Sequence, residues 1–135
     1  MKTTFREKSV LITGGSSGIG LALAKKLASE GAKIALLARR EERLVEAEKE
    51  ILQFVRRSDV LVGKISADVS DEKSVKDGIA AYIQRNGVPD ILINSAGVSR
   101  PGMFEDTSAE IFRWMMEVNF LGTVYATQAV IPGML

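Results

Sequence analysis

The residues that could carry chemistry fall in short groups, each placed directly after an apolar run. The first is Thr13-Gly14-Gly15-Ser16-Ser17-Gly18-Ile19-Gly20, which follows Ser9-Val10-Leu11-Ile12. Glycines at such a turn let the backbone bend tightly and approach a pyrophosphate, and the free N–H groups of the helix behind it face the anion. On this reading Gly14, Ser16, Ser17, Gly18, Ile19 and Gly20 contact a dinucleotide. The spacing is Gly14-x-x-x-Gly18-x-Gly20 rather than Gly-x-Gly-x-x-Gly, and a tight strand–helix turn without a ligand is the plainer alternative.

The second group decides which dinucleotide. An acid about 20 residues beyond the glycines would accept hydrogen bonds from a ribose 2′-hydroxyl. That point holds Ala38-Arg39-Arg40 instead. Guanidinium groups hold a 2′-phosphate in bidentate fashion, where a carboxylate would repel it. Arg39 and Arg40 therefore point to NADP, against the alternative of a solvated loop, and Glu41 and Glu42 suit the first turn of the following helix.

Three further groups are expected along the same site. Asp68-Val69 ends a strand-like run, where a short acid can meet the amino edge of adenine or form an Asx turn or helix cap. Asn94-Ser95-Ala96-Gly97 follows another such run. Asn94 can tie loops together, and the small Ala96 and Gly97 admit a cofactor to the backbone. Asn119 stands inside the helical stretch Met116–Gly122, a mediocre helix residue that must be paired if it is buried. A core amide bonded to backbone is the competing reading there.

The elements that must position these groups alternate. Val10–Ile12 reads as a strand, Ile19–Ser29 as a helix closed by Gly31, and Lys33–Ala38 as a second strand. Glu41–Arg57 reads as an amphipathic helix with Arg56 and Arg57 in its last turn, matching the helix dipole. A third strand spans Val60–Ser66, and a helix capped by Ser70 runs to about Arg85 before Asn86-Gly87-Val88-Pro89 breaks it. Asp90–Ile93 is a fourth strand, and Thr107 or Ser108 opens a last helix that Pro132-Gly133 ends near Val130. Apolar strands alternating with helices imply an α/β doubly wound parallel sheet covered on both faces, and the family resemblance drawn below implies the order 3-2-1-4. The fourth strand then lies at an open edge, so self-association or homo-oligomer formation through that edge and the last helix is expected.

Composition narrows the function classes. The chain has 135 residues, a size suited to one dinucleotide-binding domain. A net charge of +1 gives no case for nucleic acid or an anionic membrane surface. No apolar run is long enough for a membrane span, and the polar start Met1–Lys8 lacks the apolar core of a signal peptide. Zero cysteines exclude disulfide and thiol chemistry and fit a reducing, cytoplasmic setting. Zero histidines remove the commonest catalytic base and zinc ligand, so no metal site is expected.

Together, Thr13-Gly14-x-x-x-Gly18-Ile19-Gly20, Asp68-Val69, Asn94-x-Ala96-Gly97 and Asn119 resemble the classical short-chain dehydrogenases/reductases in order and spacing over the whole chain. The resemblance implies a Rossmann-type fold, pyrophosphate on the glycine motif, adenine at Asp68, and the Asn94 stretch along the cofactor. It also implies that Asn119 is the asparagine of a Ser, Tyr, Lys, Asn catalytic set that helps hold a proton-relay water. Ser95 replaces the usual second asparagine. Gly15-Ser16-Ser17, Leu37-Ala38-Arg39 and Gly102-Met103-Phe104-Glu105-Asp106 resemble the 3-ketosphinganine reductase branch more narrowly. Tyr82 is followed four residues later by Asn86, and Tyr125 by Ala129, so neither forms Tyr-x-x-x-Lys. The expectation is therefore the N-terminal, NADP-binding half of a carbonyl reductase, incomplete before a fifth strand and inactive alone. A nucleotide-binding or interaction module without catalysis is the alternative.

Overall fold

The computed structural model describes residues 5–55, 57 and 59–135. Arg56 and residues 1–4 of the polar start lie outside the described residues. Four parallel strands, β1 (Ser9–Thr13), β2 (Lys33–Ala38), β3 (Leu61–Ser66) and β4 (Ile91–Asn94), form one sheet in the expected order β3-β2-β1-β4. Val10 stands opposite both Ile34 and Ile91, and Thr13 opposite both Leu37 and Asn94.

Both faces of the sheet are covered, which is why the middle positions of β1 and β2 are apolar throughout. Val10, Ile12, Ile34 and Leu36 pack with Leu21, Ala24 and Leu27 of α1 (Gly18–Ser29) and with Leu44, Ala47 and Ile51 of α2 (Glu41–Phe54). The intervening residues Leu11, Ala35 and Leu37 face the other way. They meet Val75 and Ile79 of α3 (Glu72–Asn86) and Ala126 and Val130 of a C-terminal helix. The central strand residues are fully buried, while Ile91, Leu92 and Ile93 of β4 are half-buried at an edge.

Three local expectations are corrected. α3 is capped by Asp71, whose carboxylate accepts the Ser74 N–H at 3.0 Å, not by Ser70. Ser70 is already taken: its N–H and hydroxyl both donate to Asp68 Oδ1, at 2.9 and 2.7 Å. That turn passes the extended cap position to Asp71, whose charge also suits a helix N-terminus. α2 stops at Phe54, so its last turn holds no cation. Val55 leaves the helix to bury itself in the α1–α2 core, and Arg57 pairs with Asp59 instead, at 3.2 Å.

The last helix is not one element. α4 (Ala109–Met116) leads into a π-turn at Glu117–Leu121 and then α5 (Gly122–Met134). Ser108 caps α4 through its hydroxyl. α5 continues past Pro132-Gly133 rather than ending before them. The proline forfeits one helical hydrogen bond in this turn. Packing holds that turn, since the Gly133 backbone lies directly on Val88.

Candidate functional site

The carboxyl ends of the strands form a cleft of about 270 Å³. It lies where the chain order reverses, β1 having β2 on one side and β4 on the other, the place where open parallel sheets hold ligands. Gly14, Ser16 and Ser17 form one wall, Arg39, Arg40 and Arg43 a second, Asp68 and Val69 a third, and Ala96 and Gly97 a fourth. Residues distant in sequence thus meet because every strand ends on the same side.

The glycine turn is built by exclusion of side chains. Gly14 has φ +65°, and a Cβ there would stand 2.7 Å from the Ala96 Cα. A Cβ at Gly20 would stand 2.3 Å from the Gly14 carbonyl oxygen. Only glycine permits both approaches, and together they bring the loop after β4 and the start of α1 onto the end of β1. Thr13 locks this junction. It is buried, and its Oγ1 accepts N–H bonds from Ser95 and Ala96, both at 3.2 Å.

The N-terminus of α1 is bare. Ser17 occupies the cap position in extended backbone, yet its side chain makes no cap bond, and the first turn holds no acid. α3 and α4, by contrast, are capped by Asp71 and Ser108. An uncapped start offers N–H groups and the positive end of the helix dipole to an anion. Gly18, Ile19 and Gly20 form that first turn, with Ile19 76% exposed.

Across the cleft, Arg39 and Arg40 are exposed. Among the described residues neither is ion-paired. Ser66 Oγ donates to the Arg39 carbonyl at 3.1 Å, and the Ala67 N–H donates to that of Ala38 at 3.0 Å, so β3 steadies the loop. Asp68 lines the cleft, and its Oδ1 holds the Asx turn to Ser70, the plainer of its two sequence readings.

Asn94 and Asn119 do not line the cleft. Asn94 Nδ2 donates to Thr127 Oγ1 at 3.2 Å, tying β4 to α5 rather than loop to loop. Asn119 sits in the π-turn, exposed rather than in the core. Its Oδ1 accepts the Val98 N–H and its Nδ2 donates to the Val98 carbonyl, both at 2.8 Å. The backbone-bonded amide of the competing reading is thus present, but it clasps the loop of Gly97 and Val98 beside the cleft. Neither tyrosine reaches the cleft. Tyr82 is buried between α3 and β3, with its hydroxyl unpartnered and its pKa pushed up, first by burial and then by Asp90.

Thr13, Arg43 and Val98 were not picked out by spacing alone. The signal for Arg43 was its position three residues after Arg40, the same face of a helix. Thr13 heads the glycine motif, but the roles of Thr13 and Val98 rest on contacts with distant segments, the loop after β4 and the π-turn, that no local pattern signals.

Relatives share this architecture over part of their length. A 3-dehydrosphinganine reductase of Danio rerio is 44% identical over 126 residues, 93% of this chain and 38% of that protein. A 3-ketodihydrosphingosine reductase of Bos taurus is 41% identical over the same shares. The chain thus spans about two-fifths of the length of these relatives. The crystal structure of L-sorbose reductase from Gluconobacter frateurii, complexed with NADPH and L-sorbose, superposes with a TM-score of 0.89 at 32% identity, over 99% of this chain and 50% of that one. The short chain dehydrogenase family model matches residues 8–135, and the chain belongs to that family.

Proposed function

We propose that the cleft holds NADP(H), and that at the full length of its relatives the protein reduces a carbonyl, with 3-keto long-chain bases as the substrate class. One observation carries the cofactor reading: Ser17, the uncapped start of α1, lines the same cleft as Arg39 and Arg40, which form no ion pair among the described residues. The pyrophosphate would lie on the N–H groups of Gly18, Ile19 and Gly20 and the wall of Gly14, Ser16 and Ser17. Arg39 and Arg40 would hold the 2′-phosphate, and Asp68, Val69, Ala96 and Gly97 the adenosine. Such a cofactor supplies a hydride to a carbonyl carbon. The substrate class rests on the relatives named 3-dehydrosphinganine reductase and 3-ketodihydrosphingosine reductase. Asn94 and Asn119 support the loops alongside, and Asn119 is the residue of this chain that would help hold a proton-relay water.

Titration calorimetry of the chain with NADPH and NADH tests the cofactor reading. The expected result is tighter binding of NADPH, reversed in Arg39→Asp; equal affinities in the unmodified chain would overturn it. The discriminating contacts are charged hydrogen bonds of about 1.5–3 kcal/mol each, less at an exposed site.

A second reading, a nucleotide-binding module without catalysis of its own, is favoured for these 135 residues by themselves because neither tyrosine lines the cleft and there is no histidine. General acid catalysis contributes on the order of 10²-fold or more, and that acid is not placed here. Purified chain is expected to show no NADPH oxidation with a panel of ketones that includes 3-keto long-chain bases. Turnover that survives repurification and is lost in Asn119→Ala would show an acid among these residues.

A further inference from the structure

We infer that Arg43 is a third arm of the 2′-phosphate clamp, held in reserve by Glu46. The inference rests on the proposed NADP site and names a residue and a partner exchange within it. Arg40 is the cap residue of α2, in extended backbone, and makes no side-chain cap bond. Arg43 stands one turn further on, its N–H bonded to the Arg40 carbonyl at 3.1 Å. Side chains three apart on a helix share a face, and both residues line the cleft while Glu41 and Glu42 between them do not. The first turn of α2 thus turns its cations to the cleft and its acids away.

Arg39, Arg40 and Arg43 thus line one cleft. Three cations on one cleft favour an anion there. A phosphomonoester carries about −1.5 to −2 charges near neutral pH and three acceptor oxygens, enough for several guanidinium donors. A ribose hydroxyl offers neither the charge nor the oxygens. Arg43 also has a place to wait. Its Nη1 lies 3.5 Å from Glu46 Oε2, with both side chains more than half exposed. An exposed pair of this kind is weak, so a phosphate can exchange for Glu46 at little cost.

The test is titration of the unmodified chain, Arg43→Gln, Arg43→Lys and Glu46→Gln with NADPH, NADH and 2′,5′-ADP. Arg43→Gln should weaken NADPH and 2′,5′-ADP about tenfold and leave NADH unchanged, and Arg43→Lys should recover part of the loss. Glu46→Gln should tighten NADPH about twofold and not NADH, a change that a merely structural Arg43 would not produce. If the unmodified chain prefers NADPH and Arg43→Gln keeps the whole preference, or weakens NADPH and NADH alike, the inference fails and the NADP reading stands. If the unmodified chain shows no preference for NADPH, or binds none of the three probes, both fall together.

Discussion

At the residue scale, the cleft depends on groups that hold loops as much as on groups that would meet a ligand. Thr13 shows this best. Its hydroxyl oxygen takes two N–H groups of the loop after β4, inside a junction too tight for any side chain at Gly14. Thr13→Val keeps the shape and removes the acceptor, leaving two half-buried donors without a partner. A fully buried donor left unpaired costs about 1–3 kcal/mol, and a half-buried one less. Chemical denaturation is expected to show a loss of that order in Thr13→Val, together with weaker binding of nucleotide. A variant as stable as the original would mean that water replaces the hydroxyl.

At the element scale, polar residues at the two ends of β1 set how β4 joins the sheet. At the far end from the cleft, the Ser9 N–H and hydroxyl both donate to Asp90 Oδ2, at 2.8 and 3.0 Å, and the Asp90 N–H donates to Ser9 Oγ at 3.0 Å. The Ser9 N–H and hydroxyl hold the Asp90 pKa below the ordinary carboxylate value, with Lys8 assisting at 3.8 Å. A pKa depressed in the folded state stabilises the fold above the ordinary aspartate range, and that contribution disappears as pH falls through the lowered value. Asp90→Asn should therefore be less stable than the original at neutral pH, with the two converging as pH falls well below the ordinary aspartate range. A difference that stays constant across the acid range would show that the carboxylate charge plays no part.

The π-turn is the other element with consequences. A single helix from Ser108 onward would carry Asn119 along a regular spiral. The extra residue of a π-turn shifts it, and here the shift lets one amide satisfy both backbone groups of Val98. π-turns persist where such a contact compensates their poorer hydrogen bonding.

At the scale of the whole molecule, the apolar surface is uneven. β4 is a half-buried edge strand, and Met103, Phe104, Met116 and Phe120 stand more than half exposed around α4 and the π-turn. Phe104 and Phe112 already pair, with ring centroids 5.3 Å apart. Open edges and large apolar patches pair with other chains. We propose that the 135-residue chain self-associates through β4 and the α4–α5 side. Light scattering after size exclusion is expected to show species above the monomer mass, decreasing in a Phe104→Glu, Phe120→Glu variant. A monodisperse monomer at high concentration would count against it. No helix among the described residues is long and apolar enough to cross a membrane.

The local pattern alone determined the strand–helix alternation and the placing of the glycine turn, Arg39, Arg40 and Asp68 at strand ends, while the sheet order was expected from the family resemblance. The alternation and the placing follow from short-range physics: wholly apolar runs must be covered on both faces, and every parallel strand delivers its carboxyl end to one side. What only the tertiary structure decided depends on contacts between distant segments. Thr13 meets the loop after β4, Val55 leaves α2 to fill the core, Asp68 takes Ser70 away from capping α3, and Asn119 clasps Val98. Arg43 belongs with them, since its helical spacing was visible but the face it turns to the cleft was set by how α2 packs on the sheet.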